Sequence, residues 1–318
     1  GLIMAEKLMV VIPCYNEEEV LPETSRRLVL KMGSLMEKGL ISEDSRVLLV
    51  NDGSKDRTWE LISEIHKNDK MFRGICLSRN RGHQNAVLAG LMTAKDEADM
   101  VISMDADLQD DINAIDEMVD KFNEGYDIVY GVRNKRKTDT FFKRFTAQTY
   151  YKMLLHMGVD IVYNHADFRL MSKRALNAMA DFKEVNLFLR GIVPMIGFPS
   201  TNVYYERHER FAGESKYPLK KMLQFAFDGV TSLSIKPIRF ITSLGLIIFL
   251  LSLIMLVYTI VVHFIGDSEL GWSSIMTSVW ALGGLQLLSI GIIGEYIGKI
   301  YLESKARPRF IIQEYLND

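Results

Sequence analysis

The sequence predicts an α/β protein, in which a mostly parallel β-sheet covered by helices precedes two helices that cross a membrane. Three observations predict this class. Short apolar runs alternate with longer amphipathic stretches over the first 131 residues, and polar residues collect directly after four of those runs. Further along, two long stretches contain no Asp, Glu, Lys or Arg.

The apolar runs are the predicted strands, and the amphipathic stretches between them are the predicted helices. Strands are expected at residues 8–12, 47–50, 74–77, 101–104 and 128–130, and helices near residues 18–38, 58–67, 85–94 and 112–124. This alternation is typical of a parallel sheet with helices on both faces. Right-handed crossovers bring the carboxyl ends of the strands to one edge, where ligands bind in such sheets.

The two stretches without charge are residues 240–264 and 273–294. Each exceeds the roughly 20 apolar residues that a helix needs to cross a bilayer, and the alternative is a pair of buried core helices. The connection at 266–272 holds Asp267 and Glu269 but no basic residue, whereas the outer flanks are basic. The flanking residues are Lys236, Arg239, Lys299, Lys305, Arg307 and Arg309. Since basic flanks stay in the cytoplasm, both ends of the pair are expected there.

Two helical segments before the first span are candidates for the membrane surface. Residues 217–233 place apolar side chains on one helical face, and residues 141–157 are rich in aromatic residues. Amphipathic helices of this kind lie in the headgroup layer, although core packing explains the same pattern. A net charge of −2 gives no indication of a nucleic-acid partner.

Two carboxylates stand one residue apart after the fourth predicted strand. Asp105 and Asp107 can converge on one hard cation, and Gln109 adds a neutral oxygen. Oxygen ligands suit Mg²⁺ or Mn²⁺ bridging a pyrophosphate. An acidic turn without a metal is the alternative. The chain contains neither the dinucleotide-binding glycine pattern nor a P-loop, so oxidoreduction and nucleotide hydrolysis lose support.

Asp52 follows the second predicted strand, and Glu17 follows the first. Asp52 precedes Gly53 and Ser54, so its carboxylate either accepts hydrogen bonds from a nucleobase or closes a local turn. Glu17 is placed to bind ribose hydroxyls.

Six motifs together resemble the inverting glycosyltransferases of family 2, which have the GT-A fold. They are VIPCYNEE at 11–18, NDGSKD at 51–56, NRGHQNA at 80–86, DADLQD at 105–110, DFRLM at 167–171 and RFAGESK at 210–216. The nearest likeness is to the branch that holds dolichol-phosphate mannose synthase and the bacterial polyprenyl-phosphate glycosyltransferases. The Gln-X-X-Arg-Trp pattern of processive synthases is absent around Trp59, Trp272 and Trp280, which favours transfer of a single sugar.

The resemblance implies a role for each matching residue. The nucleotide sugar would be bound by Pro13, Tyr15, Glu17, Asp52 and Asp105, and the metal by Asp105, Asp107 and Gln109. The lipid phosphate would be bound by Arg133, Arg136 and Arg169. The residues expected to act in catalysis are Asp107, Arg210, Lys216 and Asp167, of which Asp167 either belongs to the acceptor pocket or supports it. His83 and Gln84 either support the donor site or are structural.

The expected enzyme transfers glucose or an N-acetylhexosamine from a UDP-sugar to polyprenyl phosphate, for the cell envelope. The alternatives are transfer from GDP-mannose, as in dolichol-phosphate mannose synthase, and a non-enzymatic membrane transport or adaptor protein. The expected domains are a cytoplasmic catalytic domain at 1–235, an anchor at 236–298 in the bacterial plasma membrane, and a cytoplasmic tail at 299–318. The resemblance leaves open a homo-oligomer such as a tetramer.

Overall fold

The structure, a computed structural model, describes residues 5–134, 148–149, 152–153, 155–157, 165–209, 219–265 and 271–317. Elements are numbered over these residues. The strands are β1 (Leu8–Cys14), β2 (Arg46–Asn51), β3 (Phe72–Leu77), β4 (Met100–Ser103), β5 (Ile128–Arg133), β6 (His165–Ser172), β7 (Ser200–Tyr205) and β8 (Ile312–Leu316). The helices are α1 (Leu21–Glu37), α2 (Thr58–Asn68), α3 (His83–Ala94), α4 (Ala114–Asn123), α5 (Lys173–Ala180), α6 (Leu189–Met195), α7 (Leu219–Leu233), α8 (Lys236–Ile265) and α9 (Trp272–Lys305).

The strands form one sheet in the order β7-β5-β6-β4-β1-β2-β3-β8. Strands β1 to β5 and β7 share one direction, while β6 and β8 run the opposite way. The prediction of a mostly parallel sheet is therefore confirmed. The five predicted strands and four predicted helices are all present, with ends that differ by a few residues.

Helices cover both faces of the sheet. Leu8, Val10 and Ile12 of β1 are buried on the face that α1, α2 and α4 cover, whereas Met9 and Val11 are buried on the face that α3, α5 and α6 cover. A strand that is buried on both sides reads as one continuous apolar run, and this is why β1 is visible in the sequence.

Residues 132–235 contain elements that the sequence did not predict. They are β6, β7, α5 and α6. The helix expected at 217–233 is present as α7. Of the segment expected at 141–157, the structure describes residues 148–149, 152–153 and 155–157, whereas Arg136, Arg210 and Lys216 lie outside the described residues.

The C-terminal part consists of two long helices, α8 and α9, followed by β8. Within the described residues, one stretch is long and apolar enough to cross a bilayer, Ala281–Lys305, of which 6% is buried. The expected pair of spanning helices is thus not confirmed. After α9 the chain returns to the sheet, where β8 pairs antiparallel with β3. Residues that we expected to form a separate tail therefore supply an edge strand.

Candidate active site

The polar residues that follow the strands meet at one edge of the sheet. Asp105 is the second residue after β4, which ends at Ser103. Because β6 runs antiparallel to β4, with Arg169 opposite Ser103, the first residues of β6 lie at that same edge. Asp167 thereby comes close to Asp105, although 62 positions separate the two in the numbering.

His83 joins these two carboxylates. It is the first residue of α3, and its Nε2 lies 3.4 Å from Oδ1 of Asp105 and 3.6 Å from Oδ2 of Asp167. Burial alone would lower the pKa of His83, but the two carboxylates outweigh it and raise this pKa to about 9. The two carboxylates therefore favour the protonated, cationic form of the imidazole.

Asp167 is bound by two arginines as well. Its Oδ1 accepts hydrogen bonds from Arg169 Nη2 at 2.9 Å and Arg190 Nε at 3.2 Å, and its Oδ2 accepts one from Arg190 Nη2 at 3.3 Å. Burial would raise the pKa of Asp167, yet Arg190, His83 and Arg169 hold it well below its usual range. Asp167 is thus a permanent anion whose two oxygens are both engaged.

The loop after β4 has an uncommon backbone. Leu108 has a φ of 59°, in the left-handed region that a non-glycine residue enters only when its surroundings impose it. Oδ1 of Asp107 accepts a hydrogen bond from the backbone N–H of Gln109 at 3.1 Å and closes this turn. Gln109 Oε1 accepts a hydrogen bond from the Arg207 guanidinium, so this predicted metal ligand is already engaged.

Asp110 is buried, with its side chain 1% exposed. Its Oδ1 accepts hydrogen bonds from the Tyr205 hydroxyl and from Arg133 Nη2, the latter at 3.4 Å. Its Oδ2 has no hydrogen-bond partner among the described residues. Arg133, expected to bind a lipid phosphate, is therefore paired with a buried carboxylate in this structure.

Asp105 and Asp107 are the candidate ligands for a divalent cation at this edge, although the described residues contain no group of three or more His, Cys, Asp or Glu side chains placed to hold one. Burial raises the pKa of Asp105 to about 6; His83 opposes this rise, and Asp110, Asp167 and Asp107 add to it. A bound cation relieves this crowding of carboxylates. The oxygens of Asp105 and Asp107 are ligands of the kind that Mg²⁺ and Mn²⁺ prefer.

The loops after β1 and β2 are joined by hydrogen bonds. The backbone N–H of Asn16 donates to Ser54 Oγ at 3.1 Å, and Asn16 Oδ1 accepts from the backbone N–H of Lys55 at 2.9 Å. The turn after β2 is closed by Asn51, whose Oδ1 accepts from the Ser54 N–H at 3.1 Å. These bonds form one rim that includes Tyr15 and Glu17, both half-buried.

Asp52 supports the neighbouring loop. The residue is 3% exposed, and its Oδ1 accepts from the backbone N–H of Arg81 at 2.7 Å. Burial raises its pKa, and backbone hydrogen bonds from Arg81 and Gly82 oppose that rise. The carboxylate therefore holds the loop that leads to His83. The contact with a nucleobase that the sequence suggests stays a prediction.

Gly53 provides a test of how tightly these loops pack. It has a φ of +61°, and a Cβ there would lie 2.3 Å from the backbone N of Asn80. We expect Gly53→Ala to lower the melting temperature of the detergent-solubilised chain markedly, because the left-handed conformation costs roughly 1–2 kcal/mol and the clash adds to it. Gly39→Ala is the matched control, since Gly39 has a φ of +68° but no atom within 4 Å of its Cβ position. Equal effects of the two changes would show that the loops do not pack as described.

The structure brings together much of the predicted site and adds residues to it. Asp105, Asp107, Asp167 and Arg169 lie at one edge with His83. Arg190 and Tyr205 were not predicted, because nothing in their local sequence marks them as polar partners at this edge. Gln84, left open between two roles, accepts from the Leu189 N–H at 2.8 Å and so fixes the start of α6.

Comparison with known proteins gives consistent likenesses. The family described as Glycosyl transferase family 2 matches residues 9–179, and the GtrB C-terminal hairpin matches residues 236–300. The uncharacterized glycosyltransferase YkoT of Bacillus subtilis (strain 168) is 55% identical over 96% of this chain and 90% of its own length. The bactoprenol glucosyl transferase of Shigella phage SfV is 38% identical over 96% of this chain and 98% of its own. The prophage bactoprenol glucosyl transferase homolog of Escherichia coli (strain K12) is 36% identical over 96% and 98%.

Proposed function

Because the chain belongs to glycosyl transferase family 2, we propose that it transfers a single glucose from UDP-glucose to a polyprenyl phosphate, with inversion at the anomeric carbon. The acceptor is an undecaprenyl-type lipid, and the product is a lipid-linked sugar for the cell envelope. The observation that carries this proposal is the end-to-end likeness to bactoprenol glucosyl transferases, which includes the C-terminal hairpin as well as the catalytic domain.

The reaction is a single in-line displacement. An oxygen of the lipid phosphate attacks the anomeric carbon, the bond from that carbon to the diphosphate oxygen breaks, and UDP leaves. A phosphate monoester has a second pKa near 6, roughly, and is already anionic at neutral pH. A strong general base is therefore not needed, and the work of the protein is to position two anions and neutralise charge.

Asp105 and Asp107 are the residues that would hold the divalent metal, with Gln109 as a third ligand once it leaves Arg207. Mg²⁺ or Mn²⁺ bound there would offset the charge of the leaving diphosphate. The nucleoside would lie at the rim between the loops after β1 and β2, where Pro13, Tyr15, Glu17 and Asp52 would bind it.

The cations of the site would bind the phosphates. Arg210 and Lys216 are proposed to neutralise the leaving diphosphate or the acceptor phosphate. Arg133, Arg136 and Arg169 are proposed for the lipid phosphate. Arg133 would release Asp110 and bind the lipid phosphate instead. Arg169 would attract the phosphate through its charge while it stays bound to Asp167.

The membrane arrangement follows from the acceptor, whose tail is buried in the bilayer. We propose that α8 and α9 cross the bacterial plasma membrane as a hairpin, with α7 and residues 141–157 at its cytoplasmic surface. Large apolar side chains are exposed along both helices, for example Phe240 at 67% and Ile300 at 65%, and such surfaces need a membrane or partner to cover them. Residues 1–235 together with β8 then form the catalytic domain, and residues 236–298 form the anchor.

The test combines a donor panel with membrane sidedness. Sealed membrane vesicles containing the chain and undecaprenyl phosphate receive UDP- and GDP-sugars, and lipid products are identified by mass. We expect glucosyl-phospho-undecaprenol from UDP-glucose in inside-out vesicles and none in right-side-out vesicles, since charged donors do not cross the bilayer. Product from GDP-mannose alone would favour the mannose-synthase alternative. Absence of any lipid-linked sugar would contradict the proposal.

A further inference from the structure

The last turns of α9 hold a segment of the catalytic domain. Glu303 Oε2 accepts a hydrogen bond from the backbone N–H of Val185 at 2.9 Å. Its Oε1 accepts two from Asn186, from the backbone N–H at 2.8 Å and from Nδ2 at 2.9 Å. Asn186 Nδ2 also donates to the Lys299 carbonyl at 3.2 Å, and Arg309 Nη1 donates to the Phe182 carbonyl at 2.9 Å. We call residues 182–186 the held segment.

The held segment leads directly to the active site. Three residues after Asn186, α6 begins at Leu189, whose N–H is fixed by Gln84. The next residue is Arg190, which donates through two nitrogens to the two oxygens of Asp167. Asp167 in turn lies beside His83 and Asp105. A short series of hydrogen bonds and covalent links thus joins the long apolar helix to the carboxylates of the site.

The hydrogen bonds that Glu303 accepts are strong because its carboxylate is charged. A carboxylate that accepts from several N–H groups makes charge-assisted hydrogen bonds, about twice as strong as those between neutral groups. Val185 and Asn186 are half-buried and their backbone N–H groups need acceptors. Without Glu303 the held segment would lose the acceptor of both.

We propose that Glu303 is a positioning residue for glycosyl transfer: by holding residues 185–186, it fixes the start of α6 and with it the Arg190 fork on Asp167. The effect on rate rests on the proposed function, whereas the effect on the held segment does not. The apolar helix is then part of the active-site framework as well as an anchor. A displacement of reacting groups by about 1 Å can cost a hundredfold in rate, so loss of this hold is expected to lower turnover.

The first test is Glu303→Gln, which keeps the size of the side chain but replaces one acceptor oxygen with an NH₂ group that faces backbone donors. Hydrogen exchange of the full chain in nanodiscs should be faster in peptides covering residues 184–193. Turnover should fall roughly tenfold or more, mainly in kcat. Glu314→Gln is the matched control, an exposed acid on β8, and should change neither measurement.

The second test asks whether Glu303 acts through Arg190. Arg190→Lys keeps the charge but loses the two-nitrogen fork. We expect the double variant, Glu303→Gln with Arg190→Lys, to have about the same turnover as Arg190→Lys alone. In the double variant the Arg190 fork that Glu303 positions is already lost, so removing Glu303 has no further effect. If the losses in turnover of the two single variants multiply in the double variant, the two residues act independently and the proposal is overturned.

The two proposals fail in different ways. Unchanged hydrogen exchange at 184–193 in Glu303→Gln would overturn the positioning role even if glucose transfer is confirmed. Absence of transfer by the unaltered chain would count against the proposed function, and the exchange measurement would still decide whether Glu303 holds the segment and the start of α6.

Discussion

Replacing Asp107 with Asn is expected to reduce the transfer rate roughly a hundredfold or more while leaving the fold intact. The estimate follows the loss seen when one group that stabilises developing charge is removed. The fold should survive because Asn keeps an Oδ1 that can accept the Gln109 N–H and close the turn around Leu108. What is lost is the negative charge that a divalent metal needs. The measurement is the rate of lipid-linked sugar formation across a titration of Mg²⁺ and Mn²⁺.

Asp111→Asn provides the control for this change. Oδ1 of Asp111 accepts the backbone N–H of Asn113 at 2.9 Å, the same two-residue turn four positions along the chain. We expect this variant to retain its transfer rate. Full activity of Asp107→Asn at saturating metal would remove Asp107 from the metal site.

Replacing Asp167 with Asn is expected to lower the free energy of unfolding by roughly 3 kcal/mol, the low end of the cost of removing one partner of a buried ion pair, because Arg169 is buried while the Asp167 side chain is 23% exposed. Arg169 is 2% exposed, and its Nε already has no hydrogen-bond partner among the described residues. The change would leave this guanidinium and that of Arg190 without their counter-charge. Urea unfolding of the detergent-solubilised chain, followed by circular dichroism, measures the loss.

Glu23→Gln is the matched control for Asp167→Asn. Glu23 also binds two arginines, Arg26 and Arg27, but both are exposed on α1. The same chemical change at the surface should cost much less, because water solvates the arginines that remain. If the two variants unfold at the same urea concentration, the cluster around Asp167 does not have the burial described.

The parts of the fold that could be predicted from sequence are those where local pattern and tertiary environment agree. Strands β1 to β5 are short apolar runs, and four of them end at polar motifs. By contrast, β6 carries Asp167 and Arg169 among its apolar residues, since it lines the site, and so it lacks the pattern of a strand. Strand β8 is five residues long and follows a long apolar helix, so nothing nearby indicates a sheet.

The candidate site was predictable in its carboxylates but less so in its partners. Asp105 and Asp107 are close in sequence, and a strand end places them. His83 and Arg190 meet Asp167 only because α3, α6 and β6 converge, and no local spacing encodes that meeting. Glu303 is harder still to predict, because it lies at the end of a long apolar helix whose sequence indicates a membrane anchor. Contacts made across the chain require the fold before they can be recognised.

The return of β8 to the sheet has a consequence for biosynthesis. Tyr315 of β8 donates a hydrogen bond to Glu97, 218 positions earlier in the chain. The sheet therefore cannot be completed during synthesis of the catalytic domain, because its final strand leaves the ribosome only after both long apolar helices. Until then, the edge of β3 carries unpaired N–H and C=O groups, a template for wrong pairing with other chains. Synthesis of both long helices thus precedes completion of the sheet, and a chain that ends before Ile312 keeps β3 as an open edge.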